Sequence, residues 1–273
     1  MFNPPRIIMT TSPTWIPVGA LGDAFAPDNH CLPPDAGLDG RILQLHGEDG
    51  SRTTIAFAAG TLTRDGAATS QCSITRPRPG IWFVDYRTAD APRGGTSLVL
   101  DLERGSYIEI DGTLPTRDEA HVPLLDRVAA GTELTPVKAR IVRGTIDRPF
   151  APDAALPQPT GELLGKRVEY LYSPHERYEH IYLNEGYYTW RCIEGSERGL
   201  CDTDACHYYA IDTDLVLFIW REKIVPTLGI VMVDLRAMKT TGKIMGYEGH
   251  DFATVRNFGV GAHARVLSVI PAE

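Results

Sequence analysis

The stretch GKRVEYLYSPHERYEHIYLNEGYYTWRCIEGSERG, Gly165–Gly199, is followed after a short gap by HYYAIDTDLVLFIWRE, His207–Glu222. Side chains two apart on a strand share a face. On that period Tyr170 joins Tyr172, Tyr178 joins His180 and Tyr182, Tyr188 joins Trp190 and Cys192, and Val216, Phe218, Trp220 and Glu222 fall together. Short consecutive strands, each with one aromatic face, predict an antiparallel sheet closed on itself so that these faces wall a pocket. Parity alone leaves open which face is interior. The apolar company of Glu222 marks its face as the packed one, where a lone carboxylate is costly unless partnered. A buried carboxyl titrates high, which suits a proton donor or acceptor near neutral pH. An ion pair with an arginine at the barrel mouth is the equal alternative.

Upstream, RILQLHG, RTTIAFAAGTLTRD, GIWFVDYR, TSLVLDLERG and SYIEIDG read as short strands bounded by turn residues, with a helix over Ala120–Ala130 and a closing strand VKARIVRGTI. The order of parts then repeats. Arg41-Ile42 aligns with Arg167-Val168, and Ala139–Val142 with Ala264–Leu267, at offsets of 126 and 125 residues. The predicted fold is therefore all-β: two tandem lipocalin-like (calycin-type) antiparallel barrels of about seven to nine strands, each with a short helix. The segments expected are an N-terminal wrapping segment over 1–37, a first barrel over 38–148, a proline-rich linker over 149–160 and a second barrel over 161–273. Trp15 and Phe25 are expected to tack the opening segment down by burial. At the offset of 126 Tyr170 and Tyr172 face Gln44 and His46, and at the offset of 135 that matches Phe83-Val84 with Phe218-Ile219 Trp220-Arg221-Glu222 faces Asp85-Tyr86-Arg87, which assigns the pocket to the second copy.

Composition bounds the partners. A 273-residue chain with 43% hydrophobic and 23% charged residues is an ordinary globular protein, and a net charge of −8 argues against nucleic acid or an anionic membrane. Five cysteines without disulfide-like spacing and an N-terminus without a charged-then-apolar leader predict a cytoplasmic, reduced protein, and no segment is apolar enough for a membrane helix. Cys192, Cys201, Cys206 and His207 do not follow a zinc-ligand spacing, so no metal is expected.

The second copy carries a resemblance. GKRVEYLYSPHERYEHIYLNEGYYTW, CDTDACHYYAI, FIWREKIVPTLGIVMVDL, TGKIMGYEGHDF and GVGAHARVL are similar to the MoaF family (molybdenum cofactor biosynthesis protein F, lipocalin-like). Nothing in these segments looks like a pterin or molybdenum site. A more distant resemblance is to phenolic acid decarboxylases, cofactor-free barrels with a Tyr-x-Tyr on the first strand, a Tyr-Glu on the next, an arginine after the second hairpin and a Trp-x-Glu on a middle strand. Those fall here on Tyr170 and Tyr172, Tyr178-Glu179, Arg191 or Arg198, and Trp220 and Glu222, although GSERGLCDTD departs from the decarboxylases' loop around the arginine.

The resemblance implies a cofactor-independent carbon–carbon lyase acting on a small para-hydroxy aromatic. Glu222, Tyr170, Tyr172 and Arg198 are expected to be catalytic, and Tyr178, His180, Tyr182, Tyr188, Trp190, Arg191 and Trp220 to contact the substrate. The chemistry is decarboxylation or a retro-aldol or deformylation step through a quinone methide. The alternatives are an isomerase on a similar substrate and a non-catalytic barrel that binds a small aromatic. The expected partner is a phenolic small molecule, without cofactor, nucleic acid or membrane, and a homodimer is compatible with the sequence.

Overall fold

The computed structural model describes residues 14–270. Eight strands, β1 (Ile42–Gly47), β2 (Arg52–Ala58), β3 (Thr61–Arg64), β4 (Ser70–Arg78), β5 (Ile81–Tyr86), β6 (Gly94–Asp101), β7 (Ser106–Thr113) and β8 (Lys138–Ile146), form a closed antiparallel barrel in sequence order. A two-residue strand β9 (Gln158–Pro159) leads into the second set: β10 (Lys166–Ser173), β11 (Glu176–Tyr182), β12 (Tyr187–Glu194), β13 (Cys201–Asp212), β14 (Leu215–Glu222), β15 (Thr227–Asp234), β16 (Lys239–Tyr247) and β17 (Val255–Val269). Pairing of β10 with β17 and of β12 with β13 closes this barrel too, and β9 adds to β13 through Pro159 opposite Tyr209. The two tandem lipocalin-like barrels are thus present.

Three departures from the sequence reading have physical causes. Strand β4, which was not expected, contains Pro77; its register against β5 shifts between Thr75 and Arg78, the kind of irregularity where a proline without an N–H is tolerated. The helix expected over Ala120–Ala130 is two short helices, α2 (Arg117–Ala120) and α3 (Leu124–Ala129), because Pro123 caps the second and cannot continue the first. The offset of 126 aligns opposite faces: in β1 the buried residues are Leu43 and Leu45 and Ile42 is exposed, whereas in β10 Val168, Tyr170 and Tyr172 are buried. A one-residue slip turns every side chain to the other face. By facing, Tyr170 matches Leu45 and Tyr172 matches Gly47, not Gln44 and His46. Likewise Trp82, Val84 and Tyr86 belong to the first barrel's core cluster and match Val216, Phe218 and Trp220, so Glu222 corresponds to Thr88 rather than Arg87.

The barrels remain chemically unequal. The first is packed with aliphatic side chains around one internal pair, in which Arg64 forks onto Glu109 at 2.9 and 3.0 Å and also donates to the Tyr86 hydroxyl. The second holds the aromatic cluster.

The outer faces of β5–β7 and β14–β16 form a shared apolar layer, with Phe83, Val99 and Ile108 against Leu217, Ile219, Ile230 and Met245. This explains why LVLFIWR is buried without alternation: Val216, Phe218 and Trp220 face the barrel interior, and Leu215, Leu217 and Ile219 face the other barrel. Arg78 closes the rim, donating to Asp234 at 2.8 Å and to Asp212 at 3.1 Å.

The opening segment packs first on the second barrel. Its eight-residue helix α1 (Val18–Phe25) lies on β16 and β17 of the second barrel, burying Val18, Gly19, Gly22 and Phe25. A Cβ on Gly19 would sit 2.4 Å from the Glu248 carbonyl oxygen, so only glycine permits that approach. The chain then crosses back: the His30 N–H donates to the Tyr172 carbonyl, and the Asp35 N–H to the Ile74 carbonyl of the first barrel. Among the described residues no helix is long and apolar enough to cross a membrane.

Candidate functional site

The side chains singled out by period two converge inside the second barrel. From β10 come Tyr170 and Tyr172, from β11 Tyr178, His180 and Tyr182, from β12 Tyr188 and Trp190, and from β14 Phe218 and Trp220, all buried. Each strand is hydrogen-bonded to the next, so the rings touch around the wall: His180 lies 4.8 Å from Tyr170 and 5.2 Å from Tyr188, and Phe218 stacks on Trp220 at 5.2 Å. A small cavity of about 30 Å³ survives at one end of this cluster, room for about two waters. Tyr172, Tyr178, His180, Tyr188, Trp190, Trp220 and Glu222 line it, together with Glu197, Ile244 and, from α1, Leu21 and Phe25. Phe25 stacks on Tyr172 at 4.7 Å, and Trp15 meets the edge of Trp190 at 6.0 Å. The opening segment therefore walls the cavity on this side.

The hydrogen bonds divide the phenols into two kinds. The Tyr170 and Tyr182 hydroxyls bond each other at 2.7 Å, deeper than the cavity, so the expected Tyr170–Tyr172 pair is split. The hydroxyls of Tyr172 and Tyr188 line the cavity and, among the described residues, have no protein partner. Buried polar groups are nearly always bonded, so two free phenols facing one space call for a ligand or water. A thermal comparison follows from this. Tyr170→Phe leaves the Tyr182 hydroxyl with only its 3.5 Å contact to His180 Nδ1 and is expected to cost about 1–3 kcal/mol, whereas Tyr172→Phe, which strands no protein group, should change stability by under about 1 kcal/mol. Equal losses in both variants would mean that Tyr172 is also bonded in the protein.

The charged groups fall out unexpectedly. Glu222 turns its carboxyl inward at the strand end and accepts from Trp220 Nε1 at 2.8 Å. Desolvation pushes it well above the ordinary carboxylate range, and Asp204 and Glu197 add to the rise. Trp190 Nε1 donates to Asp204 at 3.0 Å, and Lys223 spans Asp202 and Asp204. His180 is held neutral, its pKa lowered to about 3 by burial alone. Neither expected arginine reaches the cavity. Arg191 sits on the outer face of β12, where it and Arg167 bracket buried Glu179, because residue 191 has the opposite parity to Trp190 and Cys192. Arg198 is exposed at the tip of the β12–β13 loop. Its neighbour Glu197 points inward instead, where the Tyr178 hydroxyl donates to it at 3.0 Å.

Glu197 and α1 were missed by sequence reasoning. Strand parity cannot orient a loop residue, and a proline- and glycine-rich opening segment gave no helical period. Of the cysteines once weighed for zinc, Cys192 and Cys206 are buried while Cys201 is exposed. Among the described residues no three His, Cys, Asp or Glu side chains are grouped to hold a metal.

Burial pushes Glu197 up to about 7, with Glu176 adding to the rise and the Tyr178 hydrogen bond opposing it. A carboxyl that binds its proton more tightly when folded stabilises fully below its unfolded pKa, and that contribution is lost as pH rises toward the folded value. The stability advantage of Glu197→Gln over the native protein should therefore grow between pH 4.5 and 8 by up to about 3 kcal/mol. A difference that stays flat with pH would show that Glu197 is solvated.

The fold and cavity define the class: a tandem lipocalin-like barrel protein with an acid-bearing aromatic cavity in its second barrel. The chain belongs to the MoaF family. The MoaF N-terminal domain matches residues 13–116 and the MoaF C-terminal domain residues 157–270. Protein MoaF of Klebsiella aerogenes is 41% identical over 266 residues, covering 96% of this chain and 98% of its own. Among solved structures, one described as a "putative beta-lactamase" from Burkholderia vietnamiensis is 11% identical, covers 40% of this chain and 99% of its own, and superposes with a TM-score of 0.33.

Proposed function

We propose that the second barrel is a cytoplasmic, cofactor-independent lyase for a small para-hydroxy aromatic, with Glu222 as the proton-transferring group. The observation that carries this reading is a desolvated carboxyl sharing one aromatic cavity with two unpartnered phenol hydroxyls. A carboxyl whose burial favours its protonated form can deliver a proton to the substrate side chain, as general acids with raised pKa do. The substrate's phenolic proton passes to solvent to give a quinone methide, the leaving group departs as the ring regains aromaticity, and the phenoxide and Glu222 each take a proton back from solvent. Tyr172 and Tyr188 donate to the oxygen of the reacting group in place of the expected Tyr170–Tyr172 pair. With no arginine or lysine among the described residues of the wall to hold a carboxylate, a neutral substrate that releases a carbonyl compound, as in a retro-aldol or deformylation step, suits the cavity better than a carboxylate that releases carbon dioxide.

The test is an absorbance screen of hydroxycinnamates, hydroxybenzaldehydes and lignin-like phenols against the full chain, since loss of side-chain conjugation is visible whichever group leaves. Turnover of a para-hydroxy compound, absent for its para-methoxy analogue, is expected. Binding of these phenols without turnover of any would leave the barrel as a carrier of small aromatics.

A further inference from the structure

We propose that the cavity recognises an aromatic molecule bearing a protonated amine, with Glu197 as the anchor of that amine, and discriminates against carboxylates. The inference rests on the reading that the second barrel takes a small aromatic, and it adds the sign of the charge.

The anchor loop is built to present a carboxylate. Glu176 accepts from the Ser196 N–H at 2.9 Å, and a Cβ on Gly195 would lie 2.1 Å from the Glu176 carboxyl, so a glycine at positive φ is required for the chain to pass. Pinned there, the loop directs Glu197 into the barrel and Arg198 outward to solvent. A single step along the loop thus reverses the charge that a decarboxylase-like site would offer.

The surroundings reinforce the reversal. The groups that face Glu197 are Glu176 and Tyr178 from β11, Cys192 from β12 and Glu222 from β14, while α1 contributes only Leu21 and Phe25. None is a cation. The nearby ammonium, that of Lys223, is already spent on Asp202 and Asp204 at the rim. An anionic ligand entering here would meet carboxyls without a counter-charge. A cation would meet Glu197 beside the rings of Tyr178 and Trp190, whose centroids are 6.3 Å apart, and aromatic faces attract ammonium groups. The hydroxyls of Tyr172 and Tyr188, both nine-tenths or more buried, stay available to the reacting oxygen and are not needed to hold the amine.

Calorimetric titration of the full chain with three compounds of one shape tests the charge preference: 4-hydroxybenzylamine, 4-hydroxybenzyl alcohol and 4-hydroxybenzoate. The amine is expected to bind at least about tenfold tighter than the alcohol, equivalent to about 1.4 kcal/mol, and the benzoate most weakly. Amine binding at pH 7 should release protons, because a cation beside Glu197 drives its carboxyl to ionise, and the heat should therefore vary with the buffer's ionisation enthalpy. Glu197→Gln should bring the amine down to the affinity of the alcohol while leaving the alcohol unchanged. The benzoate binding tightest, or the amine and alcohol binding equally, would overturn the charge assignment alone. Failure of all three to bind would remove the small-aromatic reading with it. The series on the native chain decides even if the variant does not fold.

Discussion

Glu222→Gln is expected to lower turnover of the true substrate by about a hundred- to ten-thousandfold, the usual contribution of a positioned proton-transfer group, while moving substrate affinity by less than about tenfold. The amide is nearly isosteric, and its carbonyl oxygen can still accept from Trp220 Nε1, the one hydrogen bond that the Glu222 carboxyl makes among the described residues. Packing is therefore kept and only the proton is lost. The pH profile separates this role from a structural one. Glu222 acts in its protonated form, so activity falls as pH rises through its elevated pKa, and the amide variant's residual activity should lack that limb. Turnover within a few-fold of native, with the alkaline limb intact, would place the proton on another group.

Much of the site was legible because a strand fixes which residues share a face. Tyr172, Tyr178, His180, Tyr188, Trp190 and Trp220 lie in four short runs where parity alone collects them, and the barrel only had to close for them to meet. The failures mark where that rule stops. Arg191 was assigned to the site although its parity opposes that of Trp190, and Glu179 draws it to the outer face. Glu197 and Arg198 lie in a loop, where no period operates, and a tertiary bond from Glu176 chooses between them. The internal repeat was visible, but an alignment by identity at Arg41 and Arg167 was one residue out of step with the pleat. A separate one-residue slip, in matching Phe83-Val84 with Phe218-Ile219, paired Glu222 with Arg87 when the inward series ends at Tyr86. The role of α1 depends on a contact between residues more than 140 positions apart, Phe25 on Tyr172, which no local pattern encodes.

Removing that contact should produce the second large effect. Phe25 is 5% exposed and touches Tyr172, Tyr178 and Phe258, so Phe25→Ala is expected to cost about 3–5 kcal/mol if α1 stays docked, less if the helix simply lifts away. The loss should be recoverable by ligand. With the ring in place the cavity holds about 30 Å³, too little for an aromatic molecule, so the native protein must displace Phe25 before a phenol can stack on Tyr172. With the ring gone that cost disappears, and an apolar hole of benzene size is open to a ring from solution. Millimolar phenol should therefore raise the melting temperature of Phe25→Ala while leaving the native protein nearly unchanged, and 4-hydroxybenzyl compounds should associate with the variant at least about tenfold faster. Should phenol stabilise both proteins alike, Phe25 does not occupy the ligand's place and α1 is only a structural cap. Should the variant bind these compounds more weakly than the native chain, the ring is part of the wall that holds them.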